Sequence, residues 1–301
     1  MLHLNSVEIG KRKRKEKRIR FRLIRDMRRV AIVLLLIARL AAGGTGTQST
    51  QFASSTIKIN QRDGLTYMWI PPGAYRMGCH GAVVERSFSD VEEACLGNEL
   101  PRHSVTLSRG FWLGKTLVTQ SAYRRVMRSN PSKFPGGRLP VDNVSWDEAR
   151  TYCQRVGMRL PAEAEWEYAA RGSAASERYG LLDQIAWYRG NSGGKTHAVA
   201  QKQPNGYGLY DMMGNVWEWA SDWYAPYPKA ADGSCCDDPA VPLVDPKGPS
   251  SGQYHVLRGG SWNDFSADVR MSLRDHPKLS PLEDSDRDYD NYSVGFRCAG
   301  D

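Results

Sequence analysis

PNGYGLYDMMGNVWEW, Pro204 to Trp219, packs glycine turns, a carboxylate at Asp211 and the aromatic anchors Trp217 and Trp219 into one short stretch. Its Gly and Pro punctuation marks turns more than helix or strand. The same texture surrounds it. The 301-residue chain holds nine Trp and 29 Gly, yet few segments carry a regular period, so the fold must consist largely of loops held by aromatic anchors. Helix signals are few and clear. Ser145 followed by Glu148 forms a capping box opening a helix toward Cys153. Pro161 at N1 with acids in the first turn opens another, ending at Gly172. A third covers Thr119 to Arg128. Strands are expected at Thr66 to Ile70, Ser104 to Leu113 and His255 to Arg258. The class is α+β, low in regular structure, with a single domain over 63–301 and no internal repeat.

Composition bounds the function. At 41% hydrophobic and 25% charged residues the chain is globular. Its formal charge of +8 at first suggests nucleic acid. Residues 1–30, however, contain twelve Lys or Arg and three Asp or Glu, which leaves the rest of the chain near neutral, at −1. Nucleic acid is therefore excluded as the expected partner. The basic stretch precedes an apolar run, Val30 to Ala38, and small residues at Ala41 to Gly44. That order is a secretory signal over 1–43, with Met27 as an alternative start and a polar linker over 44–62. The run falls short of the roughly 20 apolar residues a bilayer span needs. The expectation is an exported chain, periplasmic or extracellular, with no membrane span once the signal is cleaved. Six cysteines, none in a CxxC pair, suit disulfides in an oxidising compartment.

Common catalytic and metal motifs are missing. Gly190 to Thr196 ends like a phosphate loop, but Arg189 stands where its first glycine belongs. The six His form no HExxH, and no GxSxG elbow occurs. The acidic run Glu283 to Asp290 has Tyr289 where an EF-hand loop turns on Gly.

A linear set of segments carries more information: Met68 to Gly78, Glu99 to His103, Pro140 to Trp146, Arg159 to Arg171, Pro204 to Trp219, Arg258-Gly-Gly-Ser-Trp262 and Gly295-Phe-Arg-Cys298. In this order they closely resemble the formylglycine-generating enzyme, or sulfatase-modifying factor, family over residues 63–301. The resemblance implies a fold related to C-type lectins. It implies a disulfide between Cys153 and Cys298, while Cys79 and Cys95 are placed to close the loop between them. Cys235 and Cys236 remain unassigned. It further implies a structural calcium loop in which Asp211 and Glu218 supply carboxylates and Gly214 and Val216 supply carbonyls, a hard oxygen set. The alternative is that the two acids merely cap the turn.

The family's chemistry needs two cysteines soon after the Gly-Gly-Ser segment, because paired thiolates bind copper(I). Here Asn263 to Arg270 contains none, and no Cys lies between Cys236 and Cys298. Copper is therefore not expected. The groove candidates are Trp217, Trp219, Ser261, Trp262, Asp264 and Arg270. Asp264, Asp268 and Arg270 offer acid/base groups, although three polar residues after a glycine turn also suit a hydrogen-bonded loop. Three functional classes follow: a module binding a peptide, protein or glycan ligand in a Trp-walled groove, an oxidoreductase like the pyoverdine-maturation relatives, and formylglycine generation relying on Cys235 and Cys236.

Overall fold

The computed structural model describes residues 57–80, 95–228, 243–277 and 293–301. The leader, Cys235 and Cys236, and the acidic run from Glu283 to Asp290 lie outside these residues. Three small sheets and four helices make up the regular structure among them. The first sheet orders β1 (Ile57–Ile59), β2 (Thr66–Ile70), β5 (Phe111–Gly114) and β11 (Ala299–Gly300). The second orders β10 (Val294–Gly295), β6 (Trp217–Trp223), β8 (His255–Arg258) and β9 (Arg274–Asp275). The third joins β3 (Gly73–Met77), β4 (His103–Leu107) and β7 (Leu243–Val244). The helices are α1 (Gln120–Met127), α2 (Trp146–Arg155), α3 (Glu163–Arg171) and the single turn α4 (Leu182–Ile185).

The first sheet separates two cores, and strand alternation is the reason. Met68 and Ile70 of β2 with Phe111 and Leu113 of β5 face one cluster, which includes Trp166 of α3, Met212 and Met213. Tyr67 of β2 faces the other, which includes Tyr123, Tyr152, Trp217, Trp219 and Phe296, and Trp112 of β5 packs against it. The disulfide Cys153–Cys298 lies in this second core and ties α2 to the segment before β11 across 145 residues. A closure of that length stabilises the fold by about 4 to 5 kcal/mol on a chain-entropy model. Cys79–Cys95 is the second disulfide.

Local expectations and observed elements differ in three places. Part of the expected linker, Ile57–Ile59, is β1 and pairs antiparallel with β2, so the folded unit starts before residue 63. The expected strand Ser104 to Leu113 is two strands, because Ser108 leaves the ladder and donates from its amide and its hydroxyl to Asp245. Helix α3 begins at Glu163 with Ala162 as N-cap, which puts Pro161 outside it. Its first amide, Glu163 N, donates to Asp222 Oδ2 at 2.9 Å, a cap supplied by β6. The capping box on α2 is as read: Glu148 N donates to Ser145 Oγ at 3.2 Å and Ser145 N donates to Glu148 Oε2 at 2.8 Å.

Helix α3 meets the second sheet through buried charge. Arg258 donates to Glu167 and to the carbonyls of Met271, Ser272 and Leu273. Arg274 forks onto Glu163 at 2.7 and 2.8 Å. Arg171 donates to Glu167 at 2.7 Å and to Gly78 O at 2.9 Å. Burial pushes the Glu167 carboxyl up, but Arg171 and Arg258 outweigh it and hold it below the usual range. Removing one partner strands a buried charge. Arg258→Met is expected to lower unfolding free energy by about 3 to 5 kcal/mol, measured by urea denaturation under oxidising conditions. Adding Glu167→Gln should recover part of that loss.

Candidate functional site

Beyond β8 the chain turns on Gly259 and Gly260, both at positive φ (94° and 73°). A Cβ on Gly260 would fall 2.7 Å from Asp268 O, so the turn demands glycine. The turn delivers Ser261, whose Oγ donates to Asp264 Oδ2 at 2.6 Å and whose amide donates to the same oxygen at 2.7 Å. Asn263 N donates back to Ser261 Oγ at 3.3 Å. Arg189 N donates to Asp264 O at 2.9 Å, and the Arg189 guanidinium sits 4.5 Å over the Phe265 ring. Burial is the chief cause that pushes the Asp264 carboxyl up to about 6, against the Ser261 hydrogen bonds. A carboxyl so placed can hold or release a proton near neutral pH, but its oxygens are hard ligands and unsuited to copper(I).

The other groove candidates are placed differently from the sequence reading. Trp217, Trp219 and Trp262 are 1%, 7% and 7% exposed, so they pack inside the fold and do not wall an open groove. Trp219 Nε1 donates to Val144 O at 2.9 Å, and Trp262 O accepts from Ser192 Oγ at 2.8 Å. Their apolar area is worth more in the core than at a surface. Arg270 is also buried and forks onto Glu99 at 2.7 and 2.8 Å beside Cys79, a structural cross-link. Ser261 and Asp264 alone of the six candidates bond to each other. The aromatic groups beside them that the sequence did not disclose are Phe265, which is exposed, and Trp187, stacked on His197 at 3.7 Å with Lys202 Nζ 3.9 Å from its ring centroid. No local motif could flag them, because only the fold brings 187–202 against 261–268.

Two clefts lie elsewhere. One of about 710 Å³ is lined by Arg109, Trp146, Arg150, Arg159, Glu165 and Asp245 among others. One of about 330 Å³ lies between β6 and the 243–249 segment.

The expected calcium ligands can be tested against their partners. Both Glu218 oxygens accept from Arg297, at 2.7 and 2.9 Å, and the same guanidinium donates to the carbonyls of Gly114, Tyr210 and Asp211. Asp211 Oδ2 accepts from Ala200 N at 2.8 Å, and burial pushes the Asp211 carboxyl up to about 6. Gly214 and Val216 would contribute carbonyls only. A divalent ion here would face a fixed guanidinium and a carboxylate already satisfied, so this donor set does not fit calcium.

A model of the sulfatase-modifying factor enzyme 1-like domain matches residues 53–301. The chain belongs to that family. This sulfatase-modifying-factor domain is 37% identical over 179 residues to the formylglycine-generating enzyme of Streptomyces coelicolor, covering 54% of this chain and 52% of that one. It is 32% identical over 250 residues to the serine/threonine-protein kinase pkn1 of Chlamydia pneumoniae, covering 83% and 36%. It thus spans about half or less of these relatives. Among solved structures, Treponema denticola variable protein 1 aligns with a TM-score of 0.63 at 28% identity, over 82% of this chain and 99% of that one. PvdO from Pseudomonas aeruginosa aligns at 0.62 with 23% identity, over 82% and 98%. The fold is that of these proteins, as the sequence resemblance implied.

Two outcomes follow for the domain. Chelation should leave its melting temperature unchanged, whereas Arg297→Met, which strands Glu218, should lower stability by about 3 to 5 kcal/mol. A chelator-sensitive melt that Glu218→Gln abolishes would restore calcium. Asp264 binds its proton more tightly when folded, at about 6 against an ordinary 3.8. Its contribution to stability is thus full below pH 4 and lost as pH rises through 6. Asp264→Asn should flatten that decline by about 1 to 3 kcal/mol, read from melts between pH 4 and 8.

Proposed function

We propose that this is an exported binding module that keeps the family's frame and holds an extended peptide or glycan ligand on the loop face around Ser261, without formylglycine chemistry. The observation that carries the reading is Asp264. Its carboxylate, anchored by two Ser261 donors, stands in the segment where the family's reaction calls for thiolates. The four described cysteines are consumed in two disulfides, and Cys235 and Cys236 are adjacent residues, poorly disposed to grip one ion between them. With the three tryptophans committed to the core, contact with a ligand falls to Phe265, Asn263 and Arg189, which are exposed. Export is supported by the leader pattern and by the disulfides, which persist in oxidising compartments. No helix among the described residues is long and apolar enough to cross a membrane.

The test has two arms. Incubation with copper, oxygen and a Cys-x-Pro-x-Arg peptide should leave the peptide mass unchanged. Display of peptides and glycans to the mature protein should find a ligand whose affinity falls about tenfold in Phe265→Ala or Arg189→Ala, the loss of a central aromatic or Arg anchor. A mass loss matching thiol-to-aldehyde oxidation, abolished by Cys235→Ser or Cys236→Ser, overturns the reading.

A further inference from the structure

The buried glutamates of this domain each have an arginine partner, which the buried Asp222 lacks among the described residues. Glu99, Glu163, Glu167, Glu177 and Glu218 are the buried glutamates among the described residues, and each lies within salt-bridge distance of a buried arginine. Asp222 is equally buried, at 4% exposed. Its Oδ2 accepts from Glu163 N and from Ser221 Oγ, both at 2.9 Å. Its Oδ1 enters no hydrogen bond or ion pair among the described residues, yet Asp222 lines the cleft of about 330 Å³. A carboxylate oxygen that faces a cleft and has no protein donor stays available to a ligand donor.

The rest of the cleft says what kind of donor. Met77, Ala164, Leu243, Pro226, Pro246 and Pro249 supply apolar walls, which suit an aliphatic stem. The positive groups at its edge are engaged elsewhere. Arg274 forks onto Glu163 and donates to Ala225 O at 2.8 Å. Lys247 is exposed and acts on Asp245 and Asp301, on the side of the larger cleft. His103 turns Nδ1 to Pro101 O at 2.9 Å and sets its ring against Tyr227. A negative oxygen beside apolar walls suits an ammonium on a hydrocarbon stem, which can pair its charge with the carboxylate while its methylenes cover the walls.

We propose that this cleft is a binding site for an aliphatic primary ammonium group, free or carried by a lysine side chain, with Asp222 as its counter-ion. It shares no residue with the Ser261 loop and does not depend on the function proposed for that face. Burial, with Glu163 adding to it, lifts the Asp222 carboxyl to about 7, so the carboxylate form prevails at pH 8.

The experiment is calorimetric or NMR titration of the mature protein at pH 8 with n-butylammonium and with N-acetyl-lysine-N-methylamide, against 1-butanol and N-acetyl-norleucine-N-methylamide. Saturable binding of the amines alone is expected, with Asp222→Asn weakening it by about tenfold or more at an undiminished melting temperature. Lys247→Gln, a surface change remote from any core contact, should strengthen it about two- to threefold by removing a like charge. Tighter binding of the lysine derivative identifies a peptide source, and equal binding a free amine. Equal binding of amines and neutral analogues, no saturable binding of either, or indifference to Lys247→Gln overturns the proposal, the last deciding the case even where Asp222→Asn fails to fold.

Discussion

A fold with so little ladder must still satisfy its buried carbonyls, and buried arginine is how this one does it. Arg171, Arg258, Arg270, Arg274 and Arg297 are the buried arginines among the described residues. Each places part of its fork on a glutamate and at least one further N–H on a main-chain carbonyl, as Arg258 does with Met271, Ser272 and Leu273. Arg297 does the same with Gly114, Tyr210 and Asp211. A planar five-donor cation suits this task better than any other side chain. The glutamates are then required by charge balance, since an unpaired guanidinium in the interior would be prohibitive. The network is thus one device with two halves, and the loops depend on both.

Two of the loops are held by hydrogen bonds to a carboxylate, one long-range and one local. The loop that the resemblance assigns to calcium is organised by Arg297 and Glu218. The turn after β8 is organised by Ser261 and Asp264 through a hydroxyl–carboxylate and an amide–carboxylate bond. Asp222 stands apart because it caps α3 with one oxygen and leaves the other facing a cleft.

Much of the fold was legible in the sequence where its cause is local. The Ser145–Glu148 box is complete within four residues, and the strands Thr66 to Ile70 and His255 to Arg258 have the bounds read from their pattern. Cys153–Cys298 is the pair that the resemblance implied, and Cys79–Cys95 closes its loop as their placement allowed. The site was less legible. Ser261 and Asp264 are three residues apart and were seen together, but Trp217, Trp219 and Trp262 were read as a groove because aromatic residues near glycine turns look alike whether they face a ligand or a core. Nothing in a linear stretch records which side of a strand another element will cover.

By itself, then, the sequence determined the class, the family, the start of α2 at the Ser145 box and the absence of thiolates after the Gly-Gly-Ser turn, all of which depend on residue identity at fixed short spacing. The tertiary structure decided the rest. Glu218 meets Arg297 across 79 residues, Glu167 meets Arg258 across 91, Glu163 meets Arg274 across 111, and Glu99 meets Arg270 across 171. Which acid takes which arginine, and which acid is left facing a cleft, depends on how distant loops pack, because charge has no sequence direction and desolvation acts only once the core has closed around it.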